Sequence, residues 1–158
     1  MVLFANAIHL LALVLWVGSV VFFSLVAAPA LFRTFPPEEA GRAVAAIFPT
    51  YYALGAVCGL VLLATSLWRA RTPSRPADAR RAVWVVGLML AANLYAALVV
   101  QPRAADLKEQ MRGEGAVALA ARAEFRSTHG VAMGLNAAVL LGGMALVALT
   151  APRLRQDD

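Results

Sequence analysis

Charged residues along this chain are confined to short intervals, and the stretches between them are long and apolar. No Asp, Glu, Lys or Arg occurs from Val2 to Phe32, from Thr50 to Trp68, from Ala82 to Gln101 or from His129 to Ala151. A spanning helix needs roughly 20 apolar residues, so the pattern predicts four transmembrane helices over about 2–32, 50–68, 82–101 and 129–151. An even number of crossings returns the chain to the side where it began, so both termini share a side. Ala28-Pro29-Ala30 has the look of a secretory cleavage site, yet the apolar run is too long for a signal and has no basic n-region. It reads as a membrane helix.

The connections differ in character. Between Pro36-Pro37 and Pro49, residues Ala40, Val44, Ile47 and Phe48 fall on one helical face while Glu38, Glu39 and Arg42 point elsewhere. This predicts a short helix lying in the interface. Residues 69–81 hold five Arg and two Pro, with Trp68 and Trp84 at the edges, which predicts a tight polar loop with aromatic anchors. From Pro102 to Thr128, Gly113 and Gly115 divide a first polar helix from a second that runs into the fourth span. The expected fold is an all-α membrane protein of one domain, residues 1–158. It is a four-transmembrane-helix bundle with a short interfacial helix between helices 1 and 2 and an extended helical segment before helix 4. No internal repeat stands out.

Composition agrees with this reading, since 61% of the residues are apolar and 15% charged, with mean hydropathy +0.73, against about a quarter charged in soluble domains. The net charge of +5 would suit nucleic acid, but the Lys and Arg lie outside the apolar runs and are read as topology signals and headgroup contacts, with no nucleic-acid partner. The Arg-dense 69–81 loop beside two membrane ends places that loop, and with it both termini, in the cytoplasm of a bacterial cytoplasmic membrane. The partner expected throughout is the lipid bilayer.

Lipid supplies no hydrophobic force between helices, so small residues and a few polar groups must join them. Gly55 and Gly59, and Gly130, Gly134, Ala138 and Gly142 at four-residue intervals, are the expected packing ridges, with a homodimer contact as the alternative use. Polar groups in hydrocarbon are costly and usually face the bundle interior. His9 and Trp16 share a face, as do His129, Met133 and Asn136; with Asn93, Gln101 and Tyr51 they are the ligand-binding candidates. Tyr51 and Tyr52 together suggest a binding lip or an interfacial anchor.

Two histidines invite a b-type haem, but His9 and His129 lie about seven and eleven residues before the midpoints of antiparallel spans, which separates them by about 25 Å. One iron does not join them. His9 and Cys58 are weak candidate ligands for a soft metal, without ligand spacing. No catalytic constellation is visible: no carboxylate, Lys or Arg lies in a span, and no glycine-rich phosphate loop occurs.

The segments "AIHLLALVLWVGSVVFF", "APALFRTFPPEEAGRAVAAIFPTYYALG" and "FRSTHGVAMGLNAAVLLGG" resemble a family of small membrane proteins, domain of unknown function 4149, which includes animal transmembrane protein 205. The matching positions are His9, Trp16, Gly18, Pro29, Phe32, Phe48, Pro49, Tyr51, His129, Gly130 and Asn136. The spacing of His9, Trp16 and the following glycine is more distantly similar to copper-resistance membrane proteins and to haem-binding protoporphyrinogen oxidases, although a further histidine expected soon after the first helix is missing. The resemblance implies a link to metal or drug tolerance. The leading expectation is a non-enzymatic protein that binds or moves a small solute or metal ion, transport requiring a homodimer. The alternatives are a haem- or metal-dependent oxidoreductase with His9 as ligand, and a structural or assembly module.

Overall fold

A computed structural model describes residues 2–71 and 76–150. The Ser74 position, Arg75 of the basic loop and the charged tail from Ala151 onward lie outside the described residues. All described secondary structure is helical: α1 (Val2–Phe22), α2 (Ala28–Thr34), α3 (Pro37–Ala70), α4 (Pro76–Tyr95), α5 (Gln101–Gln110) and α6 (Gly115–Thr150). A five-residue π turn joins α1 to α2 at Phe23–Ala27, and another joins α4 to α5 at Ala96–Val100. Four helical rods result, Leu3–Thr34, Pro37–Ala70, Asp78–Gln110 and Gly115–Leu149, each long and apolar enough to cross a membrane. The chain is an integral membrane protein. At 1.5 Å per residue each rod is about 50 Å long, more than the roughly 30 Å of hydrocarbon, so the charged ends stand in the headgroup layers.

The separate interfacial helix is not present. Residues from Pro37 onward continue straight into the second span as α3, with Pro49 inside the helix. Proline removes one intrahelical bond, but the turns before it are held by packing: Ala40 and Val44 are buried, α2 lies against α3, and Lys108 Nζ donates to the Gly41 carbonyl at 3.4 Å. The apolar stripe that suggested an interfacial helix is used inside the protein. At the same end of the bundle, Gly115 takes a left-handed φ of 79°, which ends the turn after α5 and lets α6 run unbroken through the fourth span.

The rods form a ring in which α1 packs on α3, α3 on α4, α4 on α6, and α6 back on α1. Close approach is concentrated at four glycines. A Cβ on Gly59 would lie 2.8 Å from Leu90 and 3.0 Å from the Trp16 ring; on Gly142, 2.6 Å from Met89; on Gly143, 2.3 Å from Val17; and Gly55 is treated below. Nothing lies within 4 Å of a Cβ on Gly130 or Gly134, and both are exposed, as is Ala138. Within the chain, the α6 ridge is therefore not a contact surface above Gly142. Four-residue spacing puts small residues on one face, and here that face turns outward.

The first and third rods are laid out alike. The π turns are 73 residues apart (Phe23 to Ala96), and so are the prolines that follow them (Pro29 to Pro102). At the same offset Leu13 matches Val86, Trp16 matches Met89, Val20 matches Asn93 and Phe23 matches Ala96, and all eight are buried. The side chains share burial and little chemistry, which is why the sequence does not display the correspondence.

Candidate functional site

The helices are most irregular at one level of the ring. A proline ring clashes with the carbonyl four residues earlier, and both rods relieve that clash by widening into a π turn just before Pro29 and Pro102. Pro49 lies at the same level on α3, because Phe23 packs on Phe48 and Tyr51 with ring centroids 5.5 and 5.1 Å apart. Tyr51 and Tyr52 meet edge to face at 5.0 Å, and Phe48 reaches Tyr52 at 5.7 Å. Four aromatic rings thus close this end of the interior.

Amide groups from three other helices converge on the two tyrosines. The Tyr51 hydroxyl donates to Asn136 Oδ1 at 3.2 Å, Gln101 Nε2 donates to the Tyr52 hydroxyl oxygen at 3.2 Å, and Asn93 Nδ2 donates to the Tyr52 carbonyl at 3.0 Å. One turn along α3 the backbone is bare at Gly55. A Cβ there would stand 2.3 Å from Asn93 Oδ1 and 2.9 Å from Trp16 Nε1. An acceptor and a donor therefore lie against the same glycine notch and fill it. Neither makes a hydrogen bond to the described residues, although Trp16 and Asn93 are 1% and 5% exposed.

A second polar level lies nearer the termini. His9 Nδ1 is 2.7 Å from Thr65 Oγ1, whose hydroxyl donates to the Val61 carbonyl at 2.8 Å. With that proton on the carbonyl, the histidine donates from Nδ1. One residue on, Ser66 is buried and its hydroxyl has no hydrogen-bond partner among the described residues. Beyond it Arg69 donates to Asn6 Oδ1.

Of the candidates read from the sequence, the fold assembles Trp16, Tyr51, Asn93, Gln101 and Asn136 around Tyr52 and Gly55. His9 faces inward but binds Thr65, not Asn93 or Asn136. His129 is exposed on α6, stacked on Phe125 at 6.2 Å, and takes no part. Cys58 is buried, but it precedes Thr65 on α3 by seven residues, about 10 Å of helical rise. His9 and Cys58 are thus not brought together, and no group of three His, Cys, Asp or Glu converges among the described residues. The residues present do not fit a haem with two histidine ligands or a His9–Cys58 metal site. Sequence reasoning gave no site role to Phe23, Phe48, Thr65 and Ser66; the adjacent hydroxyls of Thr65 and Ser66 inside an apolar run were the available signal.

Residues 11–113 match the model of a family described as a domain of unknown function, DUF4149. The chain belongs to the DUF4149 family. The matched segment of this DUF4149 protein carries Trp16, Tyr51, Tyr52, Gly55, Asn93 and Gln101, while His9 and Asn136 fall outside it. An uncharacterized protein of Aquifex aeolicus (strain VF5) is 33% identical over 137 residues, covering 85% of this chain and 86% of that protein. No solved structure matches.

Proposed function

We propose that this DUF4149 protein binds a small uncharged polar solute against the polar level of the ring formed by Trp16, Tyr51, Asn93, Gln101 and Asn136. The supporting observation is the convergence of the Trp16 indole N–H and the Asn93 amide oxygen, both carried by buried residues and neither hydrogen-bonded to the described residues, beside Gly55. Leaving such groups unsatisfied in a low-dielectric interior costs about 1–3 kcal/mol each, which a solute with one acceptor and one donor, such as an amide or an alcohol, would recover. The surrounding groups are indole, phenol and amide. An ion there would lose its hydration without meeting an opposite charge, so neutrality of the solute follows from the chemistry of the lining.

The nitrogen and oxygen donors of the notch are not the soft ligands that copper or platinum prefer. Metal or drug tolerance therefore rests on the resemblance to transmembrane protein 205 and the copper-resistance proteins. On the Arg-dense loop we place the termini in the cytoplasm.

The test is native mass measurement of protein released from its own membrane in mild detergent, compared with Trp16→Phe and Gly55→Ala. Trp16→Phe removes the donor and keeps most of the ring. A neutral bound mass, other than lipid or detergent, should be present in the parent and lost from both variants. A parent without such a mass, or variants that retain it, would refute the proposal.

A further inference from the structure

Outside the ring, the corner between α2 and α3 holds a surface recess of about 280 Å³ lined by Phe35, Glu39, Arg42 and Ala43. Its depth in the bilayer follows from the sequence: the first apolar run ends at Phe32 and the charge-free part of α3 begins after Arg42. The recess is therefore in the headgroup layer. Glu39 and Arg42 are three residues apart on one helix, a spacing that readily closes an ion pair. Elsewhere it does close, at 3.5 Å for Asp78–Arg81 and 2.7 Å for Glu109–Arg112. Glu39 and Arg42 make no such pair and no hydrogen bond to the described residues. Two opposite, unpaired charges thus line one recess beside an aromatic ring.

We propose that this recess binds the headgroup of a zwitterionic phospholipid with a primary ammonium, that is, a phosphatidylethanolamine. Arg42 presents a planar fork of donors suited to a phosphodiester. Glu39 accepts an N–H bond of the ammonium, a donor that a quaternary choline lacks. Phe35 and Ala43 cover the glycerol end, and the acyl chains follow the apolar surface below Phe32. An anionic phosphatidylglycerol would gain Arg42 but set its phosphate near Glu39 without a compensating cation.

The experiment measures binding to the full-length chain in detergent by native mass spectrometry. The probes are phosphatidylethanolamine and phosphatidylglycerol of identical acyl chains, and the chain-free glycerophosphoethanolamine. The parent should favour phosphatidylethanolamine at least fivefold over phosphatidylglycerol, and Arg42→Gln should abolish that excess. Glu39→Gln should reverse the preference towards phosphatidylglycerol. Both side chains are exposed, so the variants should fold. Equal binding of the two lipids by the parent, or an unchanged preference in either variant, would overturn the proposal. Glycerophosphoethanolamine binding as tightly as the lipid would overturn it as well, by making the ligand a soluble headgroup.

Discussion

Replacing Gly55 with alanine adds a single carbon, and the structure states where it must go. The new Cβ would be 2.3 Å from Asn93 Oδ1, 3.0 Å from Asn93 Cγ and 2.9 Å from Trp16 Nε1, all closer than van der Waals contact. The helix backbone cannot retreat without moving Tyr51 and Tyr52, so the Asn93 amide must turn away and release the Tyr52 carbonyl, bonded at 3.0 Å. Overpacking costs about 1–3 kcal/mol, and one interhelical hydrogen bond in a membrane protein about 0.6 kcal/mol. Alanine returns about 1 kcal/mol of helix propensity. Gly134→Ala receives the same propensity gain with open space around it, so the difference between the two variants isolates the steric and hydrogen-bond terms at about 2–3 kcal/mol. Reversible unfolding in mixed micelles, followed by helical circular dichroism as SDS fraction rises, measures that difference. If Gly55→Ala proves as stable as Gly134→Ala, the notch is not the tight contact described here, and the site built on it fails with it.

Gly134→Leu, which an intrachain packing ridge would make severely damaging, should leave monomer stability unchanged or raise it by up to about 1 kcal/mol in the same assay, because its face is open and leucine favours the helix; a loss of several kcal/mol would show that α6 is covered there. His9→Gln should retain part of the bond to Thr65, while His9→Ala loses the bond and the ring volume and should be less stable than His9→Gln by about 2 kcal/mol. Equal stability of the two would remove the structural role of His9. Ser66→Ala deletes a buried hydroxyl without a partner among the described residues and should be neutral or stabilising by about 1 kcal/mol; marked destabilisation would mean that the hydroxyl is engaged. For topology, cysteine at Ser74 in a Cys58→Ala background should resist an impermeant thiol reagent in intact cells, and rapid labelling would put the basic loop outside.

The spans were legible because charge in hydrocarbon is expensive, and the chain places none there. The cost of polar groups there made His9, Asn93, Gln101 and Asn136 candidates before any coordinates, Trp16 entered by sharing a face with His9, and five of the seven candidates meet at one level. Partners were not legible in the same way. Thr65 turns its hydroxyl back onto its own helix, so nothing in the sequence marks it as the group that takes His9. Pro49 reads as a boundary because proline usually ends a helix; only the packing of Ala40 and Val44 reveals that α3 survives it. Small residues at four-residue intervals fix a face but not what lies opposite, and on α6 the expected ridge turned outward at Gly130, Gly134 and Ala138 while Gly142 and the neighbouring Gly143 became the contacts. The π turns were hidden for a related reason: Pro29 and Pro102 sit at the ends of apolar runs, where they read as stops.

The shared layout of the first and third rods bears on how such a chain came to exist. A unit of two crossings ends on the side where it started, so a tandem copy enters the bilayer in the same direction as the original. Duplicates of this kind are related by rotation about the membrane normal, and equivalent stations lie at equal depth. Inverted repeats supply the paired inward- and outward-facing states of many secondary transporters; parallel copies contain no such pair. At the station occupied by Val20 on the first rod the third rod carries Asn93, both of them buried. Equivalent stations thus carry a hydrocarbon side chain on the first rod and an amide on the third, and only the amide joins the polar junction around Tyr52.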